Sequence, residues 1–93
     1  GTPDLLGYNN SGVFFTVELK YTKTNKITFS PHQIGFHVKH PHNTFILVED
    51  ASLNVPKLYE GKEIRNLVSG GLKHEPMHQG YSNIKKFLDK LGA

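Results

Sequence analysis

The alternation of apolar and polar residues predicts the strands of this chain. The clearest strand is segment 13–20, which is rich in β-branched and aromatic residues and places every second side chain on the same face. One face consists of Val13, Phe15, Val17 and Leu19, and the other of Phe14, Thr16, Glu18 and Lys20. Shorter strands are predicted over 3–8, 44–49 and 56–60, the last at a sheet edge because Pro56 begins it.

Capping residues and helical periodicity predict three helices. Ser30 is a good N-cap and Pro31 suits the first helical position, so a helix is expected to begin there. It ends near His40, where a proline follows. A short helix is predicted over 62–69, before a Gly-Gly pair, and an amphipathic helix over 83–91. The resulting order β-β-α-β-β-α-α predicts an α/β fold in which helices flank a mixed sheet.

The size and composition of the chain exclude several classes of protein. With 93 residues and a mass of 10.5 kDa, the chain has room for one domain. It contains no run of 18 apolar residues, so no membrane segment is expected. The absence of cysteine excludes disulfides, thiolate metal sites and cysteine nucleophiles. It also fits an intracellular, cytoplasmic location.

The charge of the chain is mildly basic. Lysine and arginine number 11 against 8 acidic residues, which gives a net charge of +3 and a pI of about 9.2. Arg65 is the only arginine. Lysine makes point-charge contacts with phosphates, whereas arginine is better suited to reading bases. The composition therefore favours sequence-independent contacts with nucleic acid, although an ordinary solvated surface has a similar charge.

One group of residues could carry chemistry. Glu18 and Lys20 are two residues apart on a strand and therefore share a face, and Asp4 lies one strand away across a tight turn. Two carboxylates and the backbone carbonyl of Leu19 would suit Mg²⁺, with Lys20 directed at the phosphate under attack. The alternative is a cross-strand ion pair on a solvated sheet face.

Three motifs in sequence order resemble the PD-(D/E)XK nuclease superfamily. They are Gly1-Thr2-Pro3-Asp4-Leu5-Leu6-Gly7, Phe15-Thr16-Val17-Glu18-Leu19-Lys20 and Ser30-Pro31-His32-Gln33. Within that superfamily they are most similar to the VRR-NUC branch and to related phage Holliday-junction resolvases. The resemblance covers about residues 1–48. It implies a restriction-endonuclease-like fold and a Mg²⁺- or Mn²⁺-dependent phosphodiesterase that acts on DNA.

The resemblance also implies the roles of individual residues. Asp4 and Glu18 would be metal ligands and Lys20 the catalytic lysine, and Gln33 would reach toward a water molecule or the substrate phosphate. Ser30 and Gln33 also fit a capping box, in which each side chain satisfies a backbone donor at the helix start. Members of this branch usually have a helix before the first strand, and these 93 residues offer none. A longer protein or a partner chain would have to supply that element.

Further residues are candidates for contacts with DNA. Lys23 and Lys26 lie on a predicted polar loop, Lys39 lies on the first helix, and His32 lies at its N-terminus, where an anion is favoured. Four histidines between residues 32 and 42 could instead bind zinc, although they show no recognised ligand spacing.

Together these observations predict a single-domain DNA endonuclease, with junctions or flaps as candidate substrates. The alternatives are a site-specific homing or restriction-type nuclease and a non-catalytic DNA-binding subunit with the same fold. A homodimer or higher oligomer is expected, because one such site cuts one strand and a two-fold pair supplies two sites.

Overall fold

The computed structural model describes residues 5–24, 26–50 and 55–92, and these residues form one five-stranded sheet with helices on both faces. The strands, which lie side by side in sequence order, are β1 (Leu5–Tyr8), β2 (Phe14–Thr22), β3 (Thr44–Asp50), β4 (Pro56–Glu60) and β5 (His78–Gln79). The helices are α1 (Pro31–Lys39), α2 (Ile64–Gly70) and α3 (Tyr81–Asp89), with 3₁₀ turns at Gly61–Glu63 and Gly71–Lys73.

The sheet is mixed, as the sequence predicted, because β2 and β3 run parallel while the other neighbouring pairs are antiparallel. A parallel pair needs a long crossover, and α1 supplies it between β2 and β3. In this register Glu18 lies beside Ile46 and Lys20 beside Val48. The predicted order β-β-α-β-β-α-α is incomplete, because β5 forms between α2 and α3. β5 also covers the outer side of β4, so the prediction that β4 is an edge strand is wrong.

Each face of the sheet carries its own apolar cluster. The face under α1 and α2 is packed by Ile27, Ile46, Val48, Tyr59, Ile64, Leu67 and Leu72. The opposite face packs against α3 through Val17, Phe45, Leu58 and Ile84, with Phe15, Leu47, Phe87, Leu88 and Leu91 partly buried around them. The alternation along β2 therefore separates two environments: its apolar side faces α3, while Glu18 and Lys20 face the helices on the other side.

Several boundaries differ from the prediction for local reasons. β2 continues to Thr22, since it pairs with β3 as far as Asp50. In the following loop, which appeared polar in sequence, Ile27 is buried and Phe29 packs against the same cluster. The longest helices among the described residues are α1 and α3, with nine residues each, and neither has the length or apolar character needed to cross a bilayer.

The core on the α1–α2 face contains a tyrosine with a satisfied hydroxyl group. Tyr59 is 1% exposed, and its Oη donates a hydrogen bond to the backbone carbonyl of His74 at 3.1 Å. Burial raises the pKa of the Tyr59 phenol to about 12. The group therefore remains a neutral donor at physiological pH, and it fixes the segment after α2 to the middle of β4.

One buried side chain joins the β1–β2 turn to the end of α3. The Nδ2 of Asn9 donates hydrogen bonds to the carbonyls of Leu88 and Leu91, both at 2.9 Å. Its Oδ1 accepts hydrogen bonds from the backbone amides of Ser11 and Val13. Asn9 thus shapes the turn and caps carbonyls at the C-terminal end of α3 with the same amide group.

We expect Asn9→Ala to lower the free energy of unfolding by about 2–3 kcal/mol, because it leaves buried carbonyl and amide groups without partners. Urea denaturation measures this change. The control is Asn83→Ala on α3, since Asn83 is exposed and makes one local hydrogen bond to the Gln79 carbonyl. We expect the control to stay within about 0.5 kcal/mol of the parent. Equal effects of the two substitutions would show that Asn9 does not hold the two segments together.

Candidate functional site

The site is built around a carboxylate that the sheet buries. Glu18 is 2% exposed and lies on the face of β2 that α1 covers. The Nζ of Lys20 lies 4.0 Å from Glu18 Oε2, and the lysine side chain is 20% exposed. The pair therefore does not lie on a solvated sheet face, which was the simplest alternative interpretation of the sequence. A carboxylate buried this deeply needs compensating charge or hydrogen bonds.

The N-terminus of α1 holds Lys20 in place. The Oε1 of Gln33 accepts a hydrogen bond from Lys20 Nζ at 2.9 Å and another from the backbone amide of Ser30 at 3.0 Å. Ser30 Oγ in turn accepts a hydrogen bond from the backbone amide of Gln33, which completes the capping box. The ammonium group also lies 4.9 Å from the centre of the Phe29 ring, a favourable cation–π distance. The predicted capping box is therefore confirmed, and the same Gln33 oxygen also accepts from Lys20, a contact that the sequence did not predict. The reach of Gln33 toward a water molecule or the substrate phosphate stays a prediction.

A histidine that the sequence analysis did not assign to the site lies against Glu18. His37 is 0% exposed, and its Nε2 lies 3.4 Å from Glu18 Oε1. The residue that was predicted to approach the site, His32, is exposed in the first turn of α1. The signal that could have identified His37 is its spacing of four residues from Gln33, since such residues lie on the same side of a helix.

His37 occupies a slot formed by Thr44 and Gly61. A Cβ atom at Gly61 would lie 2.5 Å from His37 Nδ1, and it would also collide with Thr44 Oγ1. Thr44 is 5% exposed and donates a hydrogen bond from Oγ1 to the His40 carbonyl at 2.6 Å, at the C-terminal end of α1. The glycine therefore allows the 3₁₀ turn after β4 to pack directly on the imidazole ring.

Four buried polar atoms around this site have no hydrogen-bond partner among the described residues. They are Glu18 Oε2, both ring nitrogens of His37, and Thr16 Oγ1. Thr16 shares the face of β2 that carries Glu18. Buried polar atoms usually have partners, so this concentration on one side of one sheet distinguishes the site from the rest of the described core.

The remaining predicted site residues are more scattered. Asp4 lies outside the described residues. Leu19 pairs with Leu47 in the sheet and is 46% exposed.

The candidates for DNA contacts are all exposed, namely Lys23, Lys26, His32 and Lys39. Lys26 lines an open groove of about 780 Å³ between the loop after β2 and the end of α2, which Lys73 also lines. Within residues 5–24, 26–50 and 55–92, no three histidine or acidic side chains converge as a set of metal ligands.

Comparisons with models of protein families, with curated proteins and with solved structures find no match to this chain. The chemistry of the site therefore rests on its own geometry. A buried carboxylate, an ammonium group held at the start of α1 and the imidazole of His37 in the last turn of α1 lie together. One oxygen of the carboxylate has no hydrogen-bond partner among the described residues.

We expect Gly61→Ala to lower the free energy of unfolding by about 1–3 kcal/mol, because the added methyl group must displace His37 or Thr44. The matched control is Gly35→Ala, since a Cβ at Gly35 on α1 meets nothing within 4 Å. The control should be stabilised by about 0.5–1 kcal/mol through the higher helix propensity of alanine. Thermal denaturation of both variants measures these opposite changes. A Gly61→Ala variant as stable as the parent would contradict the tight packing around His37.

Proposed function

We propose that this chain is a Mg²⁺- or Mn²⁺-dependent endonuclease that hydrolyses phosphodiester bonds in DNA. The observation that carries the proposal is the buried Glu18 carboxylate, whose Oε2 has no hydrogen-bond partner among the described residues and lies 4.0 Å from the Lys20 ammonium group. An acidic oxygen next to a cationic group is the combination that metal-assisted phosphate hydrolysis needs. The three motifs that resemble PD-(D/E)XK nucleases point to the same chemistry.

The donor groups fit a hard divalent cation. Mg²⁺ prefers oxygen ligands and keeps several of its waters, so a few protein oxygens are enough. Among the described side chains, the Glu18 carboxylate supplies the candidate metal ligand, because its Oε2 has no competing hydrogen bond there. In our proposal Asp4 and the Leu19 carbonyl complete the set. Asp4 directly precedes Leu5, whose partner across the β1–β2 pair is Val17, the neighbour of Glu18.

Lys20 and α1 prepare the site for the negatively charged phosphate. The ammonium group is oriented by Gln33 and by the Phe29 ring, so it needs little rearrangement to contact a phosphoryl oxygen. The N-terminus of α1 lies at the same place, and its partial positive charge favours an anion. These residues would bind the substrate phosphate and stabilise the additional charge that develops as the reaction proceeds.

The reaction is an in-line displacement at phosphorus. A water oxygen forms a bond to phosphorus as the bond to one sugar oxygen breaks, which gives a phosphomonoester and a free hydroxyl group. Glu18 and Asp4 would hold the divalent cation, which would supply charge neutralisation and lower the pKa of the attacking water; the proton that the water loses passes to solvent, and the departing sugar oxygen takes up a proton. Lys20 stabilises the phosphoryl oxygens, and Gln33 keeps its ammonium group in position.

Exposed basic residues around α1 supply the contacts with the DNA backbone. In the proposal these are Lys23, Lys26, Lys39 and His32, which are all exposed. Because lysine dominates the positive charge, we propose binding that depends on phosphates and on DNA shape more than on base sequence. A junction or a flap is therefore favoured over a specific sequence as the substrate class.

We expect purified protein to cleave plasmid, linear duplex or a four-way junction with Mg²⁺ and to lose this activity in EDTA. Glu18→Gln and Lys20→Met should each reduce the cleavage rate by about 10²–10³-fold, because each removes electrostatic stabilisation of the reacting phosphate. A gel assay with labelled DNA measures the rates. Lys85→Met is the matched control, since Lys85 lies on α3, is 79% exposed and pairs only with Asp89 among the described residues.

The control should cleave at the parent rate. Circular dichroism shows whether Glu18→Gln and Lys20→Met remain folded. Folded variants that cleave as fast as the parent would refute the proposed roles. DNA binding without cleavage under any metal condition would favour the non-catalytic DNA-binding subunit instead.

We also propose that two copies associate through β1. Among the described residues β1 pairs only with β2, which leaves one of its edges open. Its side chains are uncharged, and Leu6 and Tyr8 are 71% and 65% exposed, with Phe14 of β2 beside them at 63%. Edge strands of monomers usually carry charges that block pairing, so this edge suits a second copy. A two-fold pair would supply the two active sites needed to cut both strands.

We expect light scattering at micromolar concentration to give twice the chain mass of 10.5 kDa. Leu6→Lys should shift the protein to a monomer, since it places a charge in the apolar edge. Val68→Lys is the control, because Val68 is a 50% exposed apolar residue on α2, away from β1. A parent protein of single-chain mass that still cleaves DNA would exclude the dimer and leave sequential nicking of the two strands.

A further inference from the structure

His37 is the most unusual buried group in the described chain. Its side chain is fully buried, yet neither ring nitrogen has a hydrogen-bond partner there. A leucine or phenylalanine would fill the same space without the cost of burying two polar atoms. The nitrogens therefore need an explanation beyond packing.

The ring is oriented so that its two nitrogens face different neighbours. Nδ1 lies toward Gly61, where even one added carbon atom would be 2.5 Å away. Nε2 lies 3.4 Å from Glu18 Oε1, just beyond normal hydrogen-bond distance. The Gly61 backbone thus packs closely against the Nδ1 side of the ring, while the opposite nitrogen, Nε2, lies beside the carboxylate.

The two oxygens of Glu18 consequently have different surroundings. Oε1 faces His37, whereas Oε2 lies 4.0 Å from Lys20 Nζ and has no hydrogen bond within the part of the chain that the structure describes. A carboxylate that binds a cation through one oxygen is usually oriented by a hydrogen bond to the other. His37 is placed to give that second contact.

We propose that His37 is a positioning residue for Glu18: its Nε2–H donates to Oε1 and thereby directs Oε2 toward the divalent cation. The proposal rests on the proposed function, since it assigns the cation to Glu18. The present distance shortens to that of a hydrogen bond when the cation engages Oε2, as active-site contacts commonly do on ligand binding. His37 touches neither the substrate nor the cation, and it acts through the orientation of the carboxylate.

The test compares two substitutions that distinguish the effect of the N–H donor from the effect of the ring volume. His37→Gln retains an N–H donor at about the position of Nε2, whereas His37→Phe retains the ring volume and loses the donor. The readout is Mn²⁺ affinity without DNA, measured by electron paramagnetic resonance of free Mn²⁺. We expect His37→Phe to bind Mn²⁺ about 10–100-fold more weakly, and His37→Gln to stay within about threefold of the parent.

The other possible results distinguish failure of the His37 role from failure of the proposed function. If His37→Phe binds Mn²⁺ like the parent, the positioning role is wrong while the proposed function stands. Weak binding by both variants would show that ring volume matters rather than the donor, and it would also overturn the role. If neither the parent nor Glu18→Gln binds Mn²⁺, the proposed function itself fails, and the role of His37 fails with it.

A second measurement does not depend on the folding of any His37 variant. Nuclear magnetic resonance of the parent with ¹⁵N-labelled histidine shows which ring nitrogens carry hydrogen. The His37 signals are assigned through the Glu18→Gln and Gly35→Ala spectra, since the first alters its neighbour and the second leaves the ring untouched. We expect a proton on Nε2 and a shift of that signal when Mg²⁺ is added. An Nε2 without a proton would overturn the proposal.

Discussion

The burial of the Glu18 carboxylate under α1 is the constraint on which the rest of this site depends. A charged group with 2% exposure is tolerated only if its surroundings compensate for the lost water. The Lys20 ammonium group on the same strand lies 4.0 Å from one carboxylate oxygen, and His37 on the helix above lies 3.4 Å from the other. Because α1 is the crossover between the parallel strands β2 and β3, the topology that forms the sheet also brings the helix over the acid.

The fixed position of α1 has a second effect, at its N-terminus. The helix start is closed by a capping box, and the capping glutamine accepts the Lys20 ammonium group with the same oxygen. Local helix stability and the orientation of a candidate catalytic group are therefore coupled. A side chain that replaced Gln33 would have to satisfy both partners, and this restricts the residues that could stand there.

The sequence predicted those parts of the fold that depend on local patterns. Alternation along β2 located Glu18 and Lys20 on a common face, and the Ser30–Gln33 pair was identified as a cap. The pattern could not show that this face is buried, because burial depends on the long crossover that returns α1 over the strand. For the same reason His37 was not assigned to the site: its spacing from Gln33 places the two residues on one side of α1, but its contact with Glu18 joins that helix to a strand and depends on the crossover.

Pairing between distant segments explains the other differences. β5 has two residues and exists only because it pairs with β4, so its sequence carries no strand pattern of its own. Asn9 lies in the turn after β1, and its hydrogen bonds to Leu88 and Leu91 connect residues 79 and 82 positions apart. These contacts also have a consequence for the order of synthesis on the ribosome. The β1–β2 hairpin is made before α3, the helix that covers its apolar side in the folded chain. Until α3 has been made, this side of the hairpin is therefore exposed to unwanted association during translation.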